Sequence, residues 1–147
     1  MNRKVHVVLG ASLGALVSTS LGASSLDGLV GLVWGAIGGY VPDLDLRRQH
    51  RILLHNILSA VVFALAATLA MKMLLGNLSS AVHGGLGYIV GHLSHILADM
   101  STKKGVALFY PYSSKLYRIA RWESDNEMLN GLFAFLAALL AFSVLVG

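Results

Sequence analysis

Five apolar stretches, at residues 5–22, 29–41, 52–75, 81–100 and 128–147, are joined by connections that alternate between basic and free of lysine and arginine. Arg3 and Lys4 precede the first stretch; Arg47, Arg48 and Arg51 lie between the second and third; Lys103, Lys104, Lys115, Arg118 and Arg121 lie between the fourth and fifth. Residues 23–28 and 76–80 carry none, and Lys72, near a helix end from which it can snorkel, is the one basic residue on the other side. Lysine and arginine stay on the cytoplasmic side of a bilayer. The alternation therefore predicts an all-α, polytopic membrane bundle of about five transmembrane helices with the N-terminus in the cytoplasm.

Length and composition agree. A spanning helix needs roughly 20 apolar residues, which the third, fourth and fifth stretches supply and the first nearly does. The second is short and glycine-rich, so it is expected to cross only inside a packed bundle or at a thinned region. Of the 147 residues 56% are hydrophobic and 12% charged, about half the charged share usual in a soluble domain. The expectation is one integral membrane domain, residues 1–147, in the plasma (inner) membrane, with the bilayer as its first partner. The net charge of +4 follows from topology, and no nucleic acid is expected.

Glycines four apart (Gly10 and Gly14, Gly31 and Gly35, Gly35 and Gly39, Gly87 and Gly91) allow helix backbones to approach closely in lipid, and such faces also permit a homodimer. The loop at residues 101–126 is basic and cytoplasmic on this topology. Its apolar, aromatic part around Pro111 suits an interfacial or re-entrant segment, with Tyr110, Tyr112 and Tyr117 at headgroup level. Ser124 and Glu127 have capping-box spacing before the last stretch. The N-terminus has a signal-peptide outline ending near Ala23, but His6 belongs to the constellation described next, so retention is expected.

The topology sets the depth of every polar side chain. His6, Asp43, Asp45, His55, His95 and Asp99 all fall at cytoplasmic ends of apolar stretches. Ionisable groups persist near hydrocarbon mainly when paired, metal-bound or facing water. His92, His95 and Asp99 share one helix face, and Asp43-Leu-Asp45 presents two carboxylates just past a helix end. With no cysteine in the chain, a metal must be held by imidazole and carboxylate. That donor set suits zinc first, then manganese or iron, as one or two ions; two would favour phosphoester hydrolysis. His92 is assigned to orient a ligand from behind, His50 or Glu127 to move protons, and Arg51 to hold a phosphate oxygen. The bland readings are a solvated helix end for the aspartates, a loop position for His50, an interfacial His55 and a capping Glu127. They leave unexplained why the polar cost gathers on one side.

At these residues the chain resembles the YdjM-type, LexA-regulated family of membrane-bound metal-dependent hydrolases. The matching pieces are Val5-His6, Val41-Pro-Asp-Leu-Asp45, His50-Arg51 with His55-Asn-Ile-Leu58, and Gly91-His-Leu-Ser-His-Ile-Leu-Ala-Asp-Met100. Thr102, Gly105-Val106, Pro111 and Glu127 continue the pattern. The family tends to read His-Arg-Gly-x-Thr-His where this chain has His50-Arg-Ile-Leu-Leu-His55, so a turn glycine and a hydroxyl are missing. The pair His95 and Asp99 also looks like the His-x-x-x-Asp of zinc-dependent phospholipase C. The later His-x-x-x-Glu helix of those enzymes is absent here, which speaks against a three-metal centre. The resemblance implies a hydrolase. With the residues it gives the leading expectation: a metal-dependent phosphoesterase acting on a lipid phosphate or lipid-like phosphoester at the cytoplasmic leaflet. The alternatives are a membrane protein with a structural or transported metal, or a scaffold using the basic loop.

Overall fold

The structure is a computed structural model, and it describes residues 2–44 and 52–146. It is all-helical: α1 (Arg3–Ser20), α2 (Ser25–Tyr40), a single 3-10 turn (Val41–Leu44), α3 (Ile57–Leu75), α4 (Leu78–Met100) and α5 (Glu127–Val146). Among the described residues there are two isolated β-bridges, Thr102 with Trp122 and Val106 with Tyr117, and no strand. Among the described residues a helix covers most of each of the five apolar stretches, and two of the five, α3 and α5, are long and apolar enough to cross a membrane by themselves.

Helix starts are set by caps that hydropathy does not reveal. Ser24 accepts the Asp27 N–H and begins α2 four residues before the apolar run expected there, at Ser25. Asn77 accepts the Ser79 N–H ahead of α4. The third apolar stretch begins at residue 52, yet α3 begins only at Ile57, because Asn56 caps it and residues 52–56 form a turn. Before α5 the cap is Asn126, which accepts the Leu129 N–H at 2.9 Å, in place of the expected Ser124. At the far end of α3 Lys72 donates to the Gly76 carbonyl at 2.8 Å, where a cation complements the helix dipole.

The distribution of side chains is that of a protein in lipid. Leu65, Leu69, Met73, Leu74, Phe135 and Phe142 lie 60% or more exposed, while Ala60, Ala67, Ala81, Ala98 and polar groups such as Ser18 and Ser80 are 1% exposed or less. A water-soluble fold leaves apolar side chains exposed in such concentration only at an interface. Inside, α1, α2 and α4 meet backbone to backbone. A Cβ built on Gly10 would strike the Gly35 carbonyl, one on Gly14 the Gly31 carbonyl, and one on Gly91 the Gly35 carbonyl. Every predicted glycine pair lies at one of these crossings. Small residues let dispersion act between whole helix surfaces where hydrocarbon supplies no hydrophobic drive.

Successive helices run antiparallel. His6 near the start of α1 and Asp99 near the end of α4 are neighbours, and the Asn2 N–H donates to Asn130 Oδ1 at 2.9 Å, tying the start of α1 to the first turn of α5. The segment after α4 doubles back on itself. Lys103 N–H donates to the Trp122 carbonyl, Ile119 N–H to the Met100 carbonyl, and Val106 and Tyr117 exchange two backbone bonds. Gly105 makes the turn possible with φ of 68°. One bond from this loop, Ile57 N–H to the Leu108 carbonyl at 3.1 Å, secures it over the start of α3. At the opposite end of the bundle Asp27 is buried and accepts from Ser79 Oγ at 2.7 Å and Ser80 Oγ at 2.6 Å, a staple between α2 and α4.

Candidate metal centre

The glycine crossing brings α1, α2 and α4 close enough for their ends to share one polar cluster, and the turn before α3 completes it. His6, His55 and His95 are fully buried, Asp99 is 2% exposed and Asp43 8%. Two overlapping groups, His6/His95/Asp99 and Asp43/His55/His95, each offer one donor atom per residue with all three within 4.8 Å of one another. Five of the six residues expected to hold a metal therefore converge; the sixth, Asp45, lies outside the described residues, as do His50 and Arg51.

His95 is the hub. Its Nδ1 lies 2.8 Å from the Gly39 carbonyl oxygen. A carbonyl can only accept, so in the neutral ring Nδ1 carries the proton and Nε2 keeps its lone pair. That Nε2 faces His55 Nε2 at 3.2 Å, Asp99 Oδ2 at 3.8 Å and Asp43 Oδ1 at 3.8 Å. A carbonyl fixing one nitrogen while the other turns to the donors is how metal-binding histidines are oriented. His55 Nε2 is also 3.5 Å from Asp99 Oδ2, and His6 Nε2 is 3.4 Å from Asp99 Oδ1.

The supports are as specific as the donors. Asn56 Nδ2 donates to the carbonyls of Ile52 at 2.9 Å and Leu53 at 2.6 Å while its Oδ1 accepts the Ser59 N–H, so one side chain closes the turn that presents His55. His92 Nε2 donates to the Leu54 carbonyl at 2.8 Å, and Ser59 Oγ donates to the same oxygen at 3.0 Å. With Nε2 protonated, His92 Nδ1 accepts from Tyr88 Oη at 3.1 Å. His92 thus acts from behind the cluster, through the backbone beside His55. Thr102 Oγ1 donates to the Asp99 carbonyl at 2.8 Å and ends α4 at the depth the site needs. Glu127 is exposed at the start of α5, outside both donor groups.

Two functional candidates were missed by reasoning on sequence. One is the Gly39 carbonyl, a backbone group with no side-chain signature. The other is Arg3, assigned only to topology: its Nε is 3.6 Å from Asp43 Oδ2, and its guanidinium lies over the Tyr40 ring at 5.4 Å. It sets a half-exposed cation beside an otherwise buried cluster.

One consequence is testable at Asn56. Replacing it with Ala removes a cap, typically costing about 1 kcal/mol, and also frees the turn that carries His55. Thermal unfolding of Asn56→Ala is expected to shift down modestly, while metal affinity, read by chelator competition, falls about 10- to 100-fold as for other lost supports of a ligand.

The architecture is a helical bundle of membrane type, apolar outside and small or polar within, bearing a buried His/Asp cluster at one end. The chain belongs to the YdjM inner membrane protein family, whose model matches residues 1–146. It is similar to the proteins named inner membrane protein YdjM of Escherichia coli (strain K12) and Shigella flexneri, each 45% identical over 62 residues, or 42% of this chain and 30% of the relative. The alignment thus spans less than a third of those relatives. Family and relatives together support an inner-membrane location. No solved structure matches the chain.

Proposed function

We propose that this protein is a five-span inner-membrane hydrolase dependent on a divalent metal, cleaving a phosphoester of a lipid or lipid-like substrate at the cytoplasmic leaflet. The observation that carries the reading is His95: its Nδ1 is committed to the Gly39 carbonyl and its Nε2 is turned to one imidazole and two carboxylates inside a buried cluster. Burying that many ionisable groups at a membrane depth is costly without a cation to neutralise them. The topology rests on the basic residues. Arg3 and Lys4 in the first turn of α1, and the five in the loop before α5, lie at the cluster's end of the bundle, and Lys72 at the other. At 1.5 Å per residue α2 is only about 24 Å long, so it crosses packed between α1 and α4 along its glycine face.

His6, Asp43, His55, His95 and Asp99 would hold the ion, and zinc fits the imidazole–carboxylate set. Such an ion supplies Lewis-acid polarisation of a phosphoryl oxygen and a source of hydroxide near neutral pH. The chain does the rest. Arg3, half-exposed beside Asp43, attracts and orients an anionic phosphate. His95 is held in one tautomer by Gly39, and the turn closed by Asn56 keeps His55 aimed inward. Exposed Phe109, Tyr112, Ile119 and Trp122 on the loop beside the site sit where acyl chains and headgroups meet.

A panel of lipid phosphates and phosphodiester lipids, presented in mixed micelles to the purified full chain, tests this. Product release is expected with at least one substrate, to be abolished by chelator and restored by zinc or manganese. A metal-replete protein inert on the whole panel would favour a structural or transported ion.

A further inference from the structure

The three histidines of the cluster are not equivalent, and their ring geometry separates them. Two imidazoles bound through Nε2 to one tetrahedral ion at about 2.0–2.1 Å have those nitrogens about 3.3 Å apart and their ring centroids about 5 Å apart. His55 and His95 match: Nε2 to Nε2 is 3.2 Å, the centroids are 5.0 Å apart, and the planes are inclined at 70°. His6 and His95 do not. Their rings are stacked, with centroids 3.8 Å apart and planes only 20° from parallel. Rings running side by side at that separation do not radiate from a common centre.

Asp99 shows the same division. Its Oδ2 faces the His55 and His95 nitrogens, whereas Oδ1 is the oxygen nearest His6 Nε2. His6 is fully buried, and neither of its ring nitrogens has a hydrogen-bond partner among the described residues. An imidazole so placed has lost its water with no hydrogen bond in exchange, and only Asp99 Oδ1 at 3.4 Å is within ion-pair distance of it among the described residues. The His95 Nε2 lone pair can serve only one ion, so the two donor groups that share His95 cannot each use it.

We propose, on the metal-centre reading above, that the cluster is built for two ions: one held by His55, His95 and Asp43, the other by His6, with Asp99 bridging them through its separate oxygens. Among the described residues the second ion would have two protein donors, His6 and Asp99. Paired ions bridged in this way are typical of in-line phosphoester cleavage, where they clamp the attacking and leaving oxygens.

The test is elemental analysis of the detergent-purified full chain, with electron paramagnetic resonance of the manganese-loaded protein. Two ions per chain and a spin-coupled Mn(II) pair are expected, and His6→Gln, with monodispersity checked, should retain one ion and lose the coupling. Because the resonance measurement uses the native sequence, the proposal stays decidable even if the variant misfolds. A single ion, two uncoupled ions, or a folded His6→Gln that keeps a coupled pair would overturn the two-ion assignment while leaving the metal centre intact. A folded native protein with no ion would instead overturn the metal-centre reading itself.

Discussion

Asp99→Asn and His95→Gln are expected to weaken metal binding at least 100-fold while leaving a folded, monodisperse protein. Both substitutions keep approximate side-chain size, so the cluster is not emptied. Asp99→Asn removes the one carboxylate whose two oxygens address all three histidines. His95→Gln removes the ring that the Gly39 carbonyl holds in one tautomer. Loss of a supporting residue alone costs 10- to 100-fold in affinity, so loss of a donor should exceed the upper end of that range. Chelator competition reads the affinity and elemental analysis the content. Retention of stoichiometric, tightly held metal by both variants would remove Asp99 and His95 from the site.

Gly35→Leu is expected to prevent accumulation of folded protein, and Gly35→Ala to lower the thermal midpoint clearly and loosen the metal site with it. Gly35 lies where three helices touch. A Cβ there would collide with the Gly10 carbonyl, and its own carbonyl is what a Cβ on Gly91 would meet. Backbone cannot rotate away as a flexible side chain can, so α1 or α4 must move. Overpacking of this kind costs about 1–3 kcal/mol for a single added methyl. Because His6 and His95 lie on those same helices, the displacement reaches the donors. Gly131→Ala in α5 is the control: a Cβ there meets nothing within 4 Å, and alanine favours helix by about 1 kcal/mol. Equal behaviour of the two alanine variants would show that the crossing is not under steric constraint.

Much of this was legible in the sequence, for reasons that differ by residue. The five helices follow from hydropathy, and the crossings from glycines four apart, because in lipid only small residues allow backbones to touch. His6, Asp43, His55, His95 and Asp99 could be grouped because alternating basic connections gave each a depth. What was not legible is backbone chemistry and pairing. Nothing in the string marks the Gly39 carbonyl as the partner of His95, or the Leu54 carbonyl as that of His92. The turn at residues 52–56 was hidden inside an apolar run, since Asn56 acts by hydrogen bonding and not by hydropathy. Capping and charge patterns give the end of the bundle at which Glu127 and Arg3 lie, but not that Arg3 stands 3.6 Å from Asp43 while Glu127 lies outside both donor groups.

The attachment of α5 implies a division of labour. It packs chiefly on α1, and among the described residues every donor and every hydrogen-bonded support of a donor precedes residue 103. The candidate metal cluster thus draws on the first two thirds of the chain, while the last helix is a buttress that packs on α1 from outside. Sequence drift in that buttress should be tolerated so long as it stays apolar, whereas the inner helices can change only in concert.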